Sequence, residues 1–227
     1  EQCYKRPYTT NVDSIIIDNN ITMKDVLYSA FCVLMKFFSL IISPSISRFL
    51  STKRKTLRSV WLKNFIGKCG KKVFFGDDII MINHHNMIIG DNVVIDDSCM
   101  ITPIEDGVID IKSNCHIGRF CHITALKRIT LGENCLLGQH VTITDNSHGD
   151  ITFEAMSTPP IQRPITSRGE ITIGKNVWIG ENAVILQDIT IGDGCIIGAG
   201  SIVTKDIPAY SVAVGNPAKV IKQLENK

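Results

Sequence analysis

From Ile173 to Val203 an aliphatic residue returns at every sixth position: Ile173, Ile179, Ile185, Ile191, Ile197 and Val203. Glycine follows directly at Gly174, Gly180, Gly192 and Gly198. Four residues after each aliphatic stand Val177, Ala183, Ile189, Cys195 and Ser201, mostly small. A period of six matches neither the 3.6-residue helix nor the two-residue strand. It matches a solenoid in which each hexad is one short side of a triangular coil. The aliphatic fills the coil interior, the glycine lets the backbone turn, and the small residue tucks in beneath. The pattern predicts an all-β fold, a parallel β-helix of hexapeptide repeats.

The ladder runs from near Val73 to about Pro208, through Ile89, Ile95, Ile111, Ile117, Ile123, Leu131, Leu137 and Ile143. This suggests a solenoid domain over residues 70–208. Residues 125–130 slip the register by two. Residues 145–170 carry no hexad and hold Gly149, Pro159, Pro160, Pro164 and Gly169. A long structureless insertion in a repeat domain usually serves function, so 145–170 is expected to protrude. Residues 209–227 hold Gly215, Asn216 and Pro217 and then look helical, as a C-terminal capping helix on the open end of the array would.

Residues 1–69 form a separate region: a mixed tail over 1–20 with an apolar triplet at 15–17, then a helical segment. Its stretch 26–43 is nearly all apolar apart from Lys36, and Lys53, Arg54, Lys55 and Arg58 follow. The length approaches the ~20 residues of a membrane span. The central lysine, costing about 2.5–3.5 kcal/mol on insertion scales, argues against a simple one. Two other readings stay open: a helix packed on the solenoid or a neighbouring subunit, and a helix lying on an anionic membrane surface through residues 26–58.

The 227 residues carry a net charge of only +2 and 7% aromatics, with no basic stripe, so nothing points to nucleic acid. Five of the eight cysteines, Cys99, Cys115, Cys121, Cys135 and Cys195, fall four residues after an aliphatic. That is the small inward slot, so they read as core filler rather than a disulfide framework. A reducing, cytoplasmic setting is expected, in line with the lack of a visible cleavable signal peptide. There is no CxxC to support a thiol-ligated zinc site.

The text IGKNVWIGENAVILQDITIGDGCIIGAGSIVTKDIPAYSVAVGNPAKVIK from Ile173, with CHITA at 121–125 and TDNSHG at 144–149, resembles the hexapeptide-repeat acyltransferases. Within them it is similar to the maltose and galactoside O-acetyltransferases, and closer to the bacterial O-antigen and capsular polysaccharide O-acetyltransferases. The resemblance covers roughly residues 70–222. It implies a left-handed parallel β-helix working as a homotrimer, with acetyl-CoA in a groove between subunits and no metal. It implies that His148, opening the protruding loop, is the catalytic base. It further implies main-chain contacts to acetyl-CoA from Gly180 and Ala199, a contact at Thr204, and Lys205, Lys219 and Lys222 for the phosphates. Trp178, outward on a repeat that avoids aromatics, fits a wall beside the thioester or trimer packing. Asp145 could orient His148 or cap the loop turn, and His122 could touch the acceptor.

The chemistry suits these types. A sugar hydroxyl attacking a thioester must lose its proton, and a positioned imidazole contributes ~10²–10⁴-fold by general-base catalysis. Two departures cast doubt on free maltose or galactoside as acceptor: Glu181 replaces a small hydroxyl residue, and Gly118 stands where an acceptor-binding asparagine is usual. The leading expectation is an acetyl-CoA-dependent O-acetyltransferase acting on a surface polysaccharide or its precursor, in the cytoplasm or at the inner membrane face. Alternatives are a sugar N-acetyltransferase, a xenobiotic acetyltransferase, or a non-catalytic scaffold or three-histidine metal site on the same fold.

Overall fold

Three parallel sheets form the sides of a triangular coil in the computed structural model, which describes residues 23–41, 44–149 and 151–224. The tail at 1–20, with its apolar triplet, lies outside the described residues. The chain divides into two compact units, residues 1–50 and 51–227. The first unit contains helix α1 (Met23–Ile41). Among the described residues no helix is long and apolar enough to cross a membrane, so the spanning reading has no support in α1.

The second unit is the solenoid. Its first face stacks Lys68–Cys69, Met87–Ile89, Val108–Ile111, Arg128–Leu131, Ile171–Ile173 and Ile189–Ile191. The third stacks Ile80–Met81, Met100–Pro103, His122–Ala125, Thr142–Thr144, Val184–Ile185 and Ile202–Val203. The second begins at Phe74–Phe75 and climbs through Val94–Ile95, His116–Ile117, Leu136–Leu137, Trp178–Ile179 and Ile196–Ile197 to Ser211–Val214.

Most strands are two to four residues long, so each places one or two aliphatics inward. Parallel register sets each on its counterpart one coil away: Ile95, Ile117, Leu137, Ile179 and Ile197 form one such column. Essentially no surface of these five reaches solvent. Burying an aliphatic side chain stabilises by ~1.5–3 kcal/mol, so the column, repeated on each face, is what holds the coils together.

The corners obey the same ladder. Cys99, Cys115, Cys121, Cys135 and Cys195 are buried and free, as core filler should be. Each thiol donates to a carbonyl of the following coil, Cys99 Sγ to Gly118 at 3.1 Å and Cys195 Sγ to Pro208 at 3.0 Å among them. Burial pushes the Cys195 thiol above its ordinary range. At another corner Asn92, Asn114, Asn134 and Asn176 adopt φ between 55° and 63°, which asparagine tolerates. Their side-chain amides bond in series at 3.0–3.1 Å.

Structure departs from expectation at both ends. The ladder starts a side earlier than Val73, at Lys68–Cys69. The second half of helix α2 (Pro44–Leu62) covers the open first coil. Ser59 Oγ accepts from the Phe75 amide at 2.9 Å, and Lys55 Nζ meets Asp97 at 2.6 Å. At the other end the described residues hold no capping helix: Lys219–Gln223 is a strand, antiparallel to Ser211–Val214. The Gly215-Asn216-Pro217 turn folds the chain back onto an exposed edge. Its unpaired main-chain groups are better satisfied by a strand than by a helix.

Candidate active site

The insertion at 145–170 is not structureless. Ser147–His148 pairs antiparallel with Ile165–Thr166, and the Gly149 amide donates to Pro164 at 2.8 Å, closing a two-stranded ribbon. Gly149 has φ +79°, and a side chain there would press on Arg163 at 3.0 Å. Beyond it comes the short helix α3 (Phe153–Ser157), whose N-cap Thr152 Oγ1 accepts from the Ala155 amide at 3.1 Å. The Arg163 guanidinium ties the loop together through the Thr158 and Met156 carbonyls at 2.8 and 3.3 Å.

His148 stands exposed on this ribbon, at a cavity of about 310 Å³. Ser147, Ile151, Met156, Arg163, Arg168 and Gln187 share its lining. The imidazole has no hydrogen bond to any other described residue, leaving both nitrogens available. Gln187, one coil on, accepts from the Arg168 amide at 2.8 Å and reaches Ser147 Oγ at 3.4 Å, buttressing the ribbon. Arg163, Arg168 and Gln187 were not singled out from the sequence. The two arginines lie in the one stretch without a repeat, where no period marks them.

Asp145 does not orient His148. It is fully buried, and its oxygens accept from the Leu126 amide at 2.6 Å and the Lys127 amide at 2.8 Å. Those are the two residues of the register slip, whose amides turn inward and need an acceptor. Asp145 thus caps the corner at Leu126 and Lys127, one coil away, rather than the turn of its own loop.

A second cavity, of about 480 Å³, lies on the second face. It brings together Trp178, Gly180 and Ala199, with Leu136, Gly138, Glu181, Ile196 and Gly198. Its floor is glycine by necessity: a side chain at Gly180 would strike the Ala199 amide at 2.5 Å. Its wall is one outward column, Leu136–Trp178–Ile196, which strand register continues beyond the cavity to Val212 and Lys222. Lys222 thus stands three strands beyond Trp178, roughly 14 Å at ~4.8 Å per strand. Leu136 and Ile196 were also missed. The doublets Leu136-Leu137 and Ile196-Ile197 hold the signal, an apolar residue where an outward polar one is usual.

Lys219 is exposed on the same terminal strand, and Thr204 and Lys205 are exposed on the corner after Ile202–Val203. His122 lies on the third face between Met100 and Thr142, half-buried, outside both cavities. Burial pushes its imidazole below the ordinary value. The two cavities share no residue. One protomer therefore does not unite His148 with the Trp178 groove.

The repeat text itself, residues 170–205, matches the family model for bacterial transferase hexapeptide, six repeats. The chain is 34% identical over 125 residues, 53% of its length, to WbbJ of Escherichia coli K12, provisionally a lipopolysaccharide biosynthesis O-acetyl transferase. It is 40% identical over 126 residues, 51% of its length, to the galactoside O-acetyltransferase of that strain. It covers 63% and 57% of these two relatives, under two thirds of each. Its fold is like that of AntD, an N-acyltransferase from Bacillus cereus solved with dTDP and 3-hydroxybutyryl-CoA. The TM-score is 0.65 at 23% identity, over 74% of this chain and 88% of that one. The dTDP-4-amino-4,6-dideoxy-D-glucose acyltransferase of E. coli is 33% identical over 160 residues, 70% of this chain and 82% of the relative. With that breadth of identity and the repeat match, the chain belongs to the hexapeptide-repeat (left-handed β-helix) acyltransferases.

Proposed function

We propose that the protein is an acetyl-CoA-dependent O-acetyltransferase that acetylates a sugar hydroxyl of a bacterial surface polysaccharide or its precursor, as a homotrimer. The observation that carries this is the exposed, unpaired imidazole of His148, presented by the only ribbon among the described residues that leaves the coil. Acetyl-CoA supplies a thioester carbonyl open to attack. His148 takes the proton of the sugar hydroxyl as its oxygen attacks that carbonyl, and returns it to the departing thiolate. Direct transfer follows, because no cysteine or serine near His148 is placed as an acyl carrier: Ser147 Oγ is engaged with Gln187 and the Gly149 carbonyl.

The Trp178 groove suits a long, partly apolar co-substrate: apolar wall, glycine floor, and Lys222 at its far end with Lys219, Thr204 and Lys205 for phosphate contacts. Because the groove and His148 lie apart in one protomer, the reading places each active site across a seam, His148 from one subunit and the groove from the next. The loop tip supports this. Ile151, Phe153 and Ile161 are 91%, 90% and 84% exposed, an apolar cluster suited to a neighbouring subunit.

His148→Ala is expected to lower kcat by ~10²–10⁴-fold while acetyl-CoA affinity stays within a few fold. Unchanged turnover would remove His148 from the mechanism. A relative matched over 70% of this chain is named for an amino-sugar nucleotide, which favours N-acylation as the second reading. Release of CoA with matched alcohol and amine acceptors separates the two. Loss of acetyl from surface glycan on deleting the gene, followed by mass spectrometry, tests the acceptor class.

A further inference from the structure

Two arginines share the cavity of His148, and the loop uses only one of them. Arg163 directs its guanidinium at the Thr158 and Met156 carbonyls. Arg168 is held by its main chain instead. Its amide donates to Gln187 Oε1 at 2.8 Å, and the same Gln187 reaches Ser147 Oγ, beside His148, at 3.4 Å. One glutamine thus keeps the Arg168 backbone and the His148 ribbon in step. Ser167 Oγ donates to the Gly169 carbonyl at 3.1 Å and fixes the turn around Arg168.

The Arg168 guanidinium is left over. It is exposed, and it makes no hydrogen bond or ion pair with any described residue. Acids are at hand: Glu170 stands nearby in the chain, and the Asp188 carboxylate packs against Gly169. Arg168 pairs with neither. Among the described residues no acid lines the cavity, whose polar side chains are Ser147, His148, Gln187 and the two arginines. Both positive charges therefore act on whatever enters. A free guanidinium presents a planar fork of donors that matches the oxygens of a carboxylate or phosphate.

Volume and position say whose anion it is. About 310 Å³ is at the lower end of the ~300–1,000 Å³ of ligand pockets, and suits one sugar residue better than a long cofactor arm. Ile151 and Met156 give such a ring apolar walls. The phosphates of acetyl-CoA lie at the opposite end of that molecule from the thioester, where His148 acts. An anion beside His148 thus belongs to the acceptor.

We infer that Arg168 is a specificity residue for an anionic acceptor, a sugar bearing a carboxylate or phosphate on the ring whose hydroxyl is acetylated. The guanidinium pairs with the oxyanion while His148 takes the hydroxyl proton, so the ring is fixed at two points. This rests on the acetyl-transfer reading and adds the charge of the acceptor to it.

The test is steady-state transfer from acetyl-CoA by the whole chain to matched sugars of gluco, galacto and manno configuration. Each is offered as the neutral methyl glycoside, the uronic acid and the 1-phosphate. Expected is a kcat/KM at least about tenfold higher for an anionic sugar than for its neutral counterpart, and the two anionic arms tell carboxylate from phosphate. Arg168→Gln should bring that ratio to near one, chiefly through a higher acceptor KM, with the KM for acetyl-CoA within about threefold. Arg168→Lys should keep part of the preference, because a charge remains without the fork. An unchanged circular-dichroism melt confirms that the variants fold, and the native comparison needs no variant. Equal kcat/KM for neutral and anionic sugars in the native enzyme overturns the proposal alone, leaving acetyl transfer in place. An Arg168→Gln enzyme that keeps the preference overturns it too. So does one that raises the KM for acetyl-CoA or changes oligomeric state on sedimentation, since Arg168 would then hold the co-substrate or a neighbouring subunit. No transfer to any sugar overturns both this proposal and the reading beneath it.

Discussion

A carboxylate that receives two main-chain amides, at 2.6 and 2.8 Å, has little left to offer an imidazole. Asp145 therefore belongs to stability. Removing it strands two inward amides, each costing ~1–3 kcal/mol when buried without a partner. Asp145→Ala should lower unfolding free energy by about 2–4 kcal/mol in urea, with activity per folded molecule largely retained. Lost turnover at unchanged stability would restore its orienting role. The cysteines belong to the same scale. In the native protein Cys99, Cys115, Cys121, Cys135 and Cys195 should resist alkylation while half-buried Cys32 and Cys69 react, and urea should open all of them. Peptide mapping of the labelled sites checks this, and fast native labelling of Cys195 would count against it. Both sets differ in how legible they were. A cysteine slot follows from position in the hexad, whereas Asp145 meets amides 18 and 19 residues away, a pairing set by a register slip.

At the scale of elements, the docking of α2 depends on ionisation. The Lys55 hydrogen bond holds the Asp97 carboxyl below its usual range, and the same bond raises the Lys55 ammonium. The lowered carboxyl stabilises fully above its unfolded value, ~4, and that contribution disappears as pH falls through the depressed value. The raised ammonium stabilises fully below its unfolded value, ~10.4, and is lost as pH rises through the elevated one. Asp77, Arg54, Arg58 and Arg119 face the same pair and share its charge balance. The protection of α2 amides, corrected for intrinsic exchange, should fall as pH drops below about 4, ahead of that of the solenoid. Exchange that keeps step with the solenoid would show that the ion pairs do not hold the helix. The C-terminal segment shows where local pattern fails. Residues 218–226 look helical alone, but a waiting sheet edge beside Ser211–Val214 turns Lys219–Gln223 into a strand.

For the whole molecule, the separation of His148 from the Trp178 groove makes a prediction that one protomer cannot satisfy. In the proposed homotrimer, His148→Ala and Trp178→Ala variants should each be weak. Mixed and reassembled, they should regain activity at about a quarter of their seams, where both native halves meet. No recovery on mixing would place the site within a protomer. The hexad determined by itself the sheets, the inward columns and the cysteine slots. Each is a periodic local choice that stacking merely repeats, so any one coil reports on all of them. The match of TDNSHG to known relatives picked out His148. Only the tertiary structure decided which residues surround it, what Asp145 does, that Leu136 and Ile196 wall the groove, and which way α2 faces. These depend on contacts between coils, or between coil and helix, that are far apart in the chain. Their partners are chosen by register and packing, and no period in the sequence records that choice.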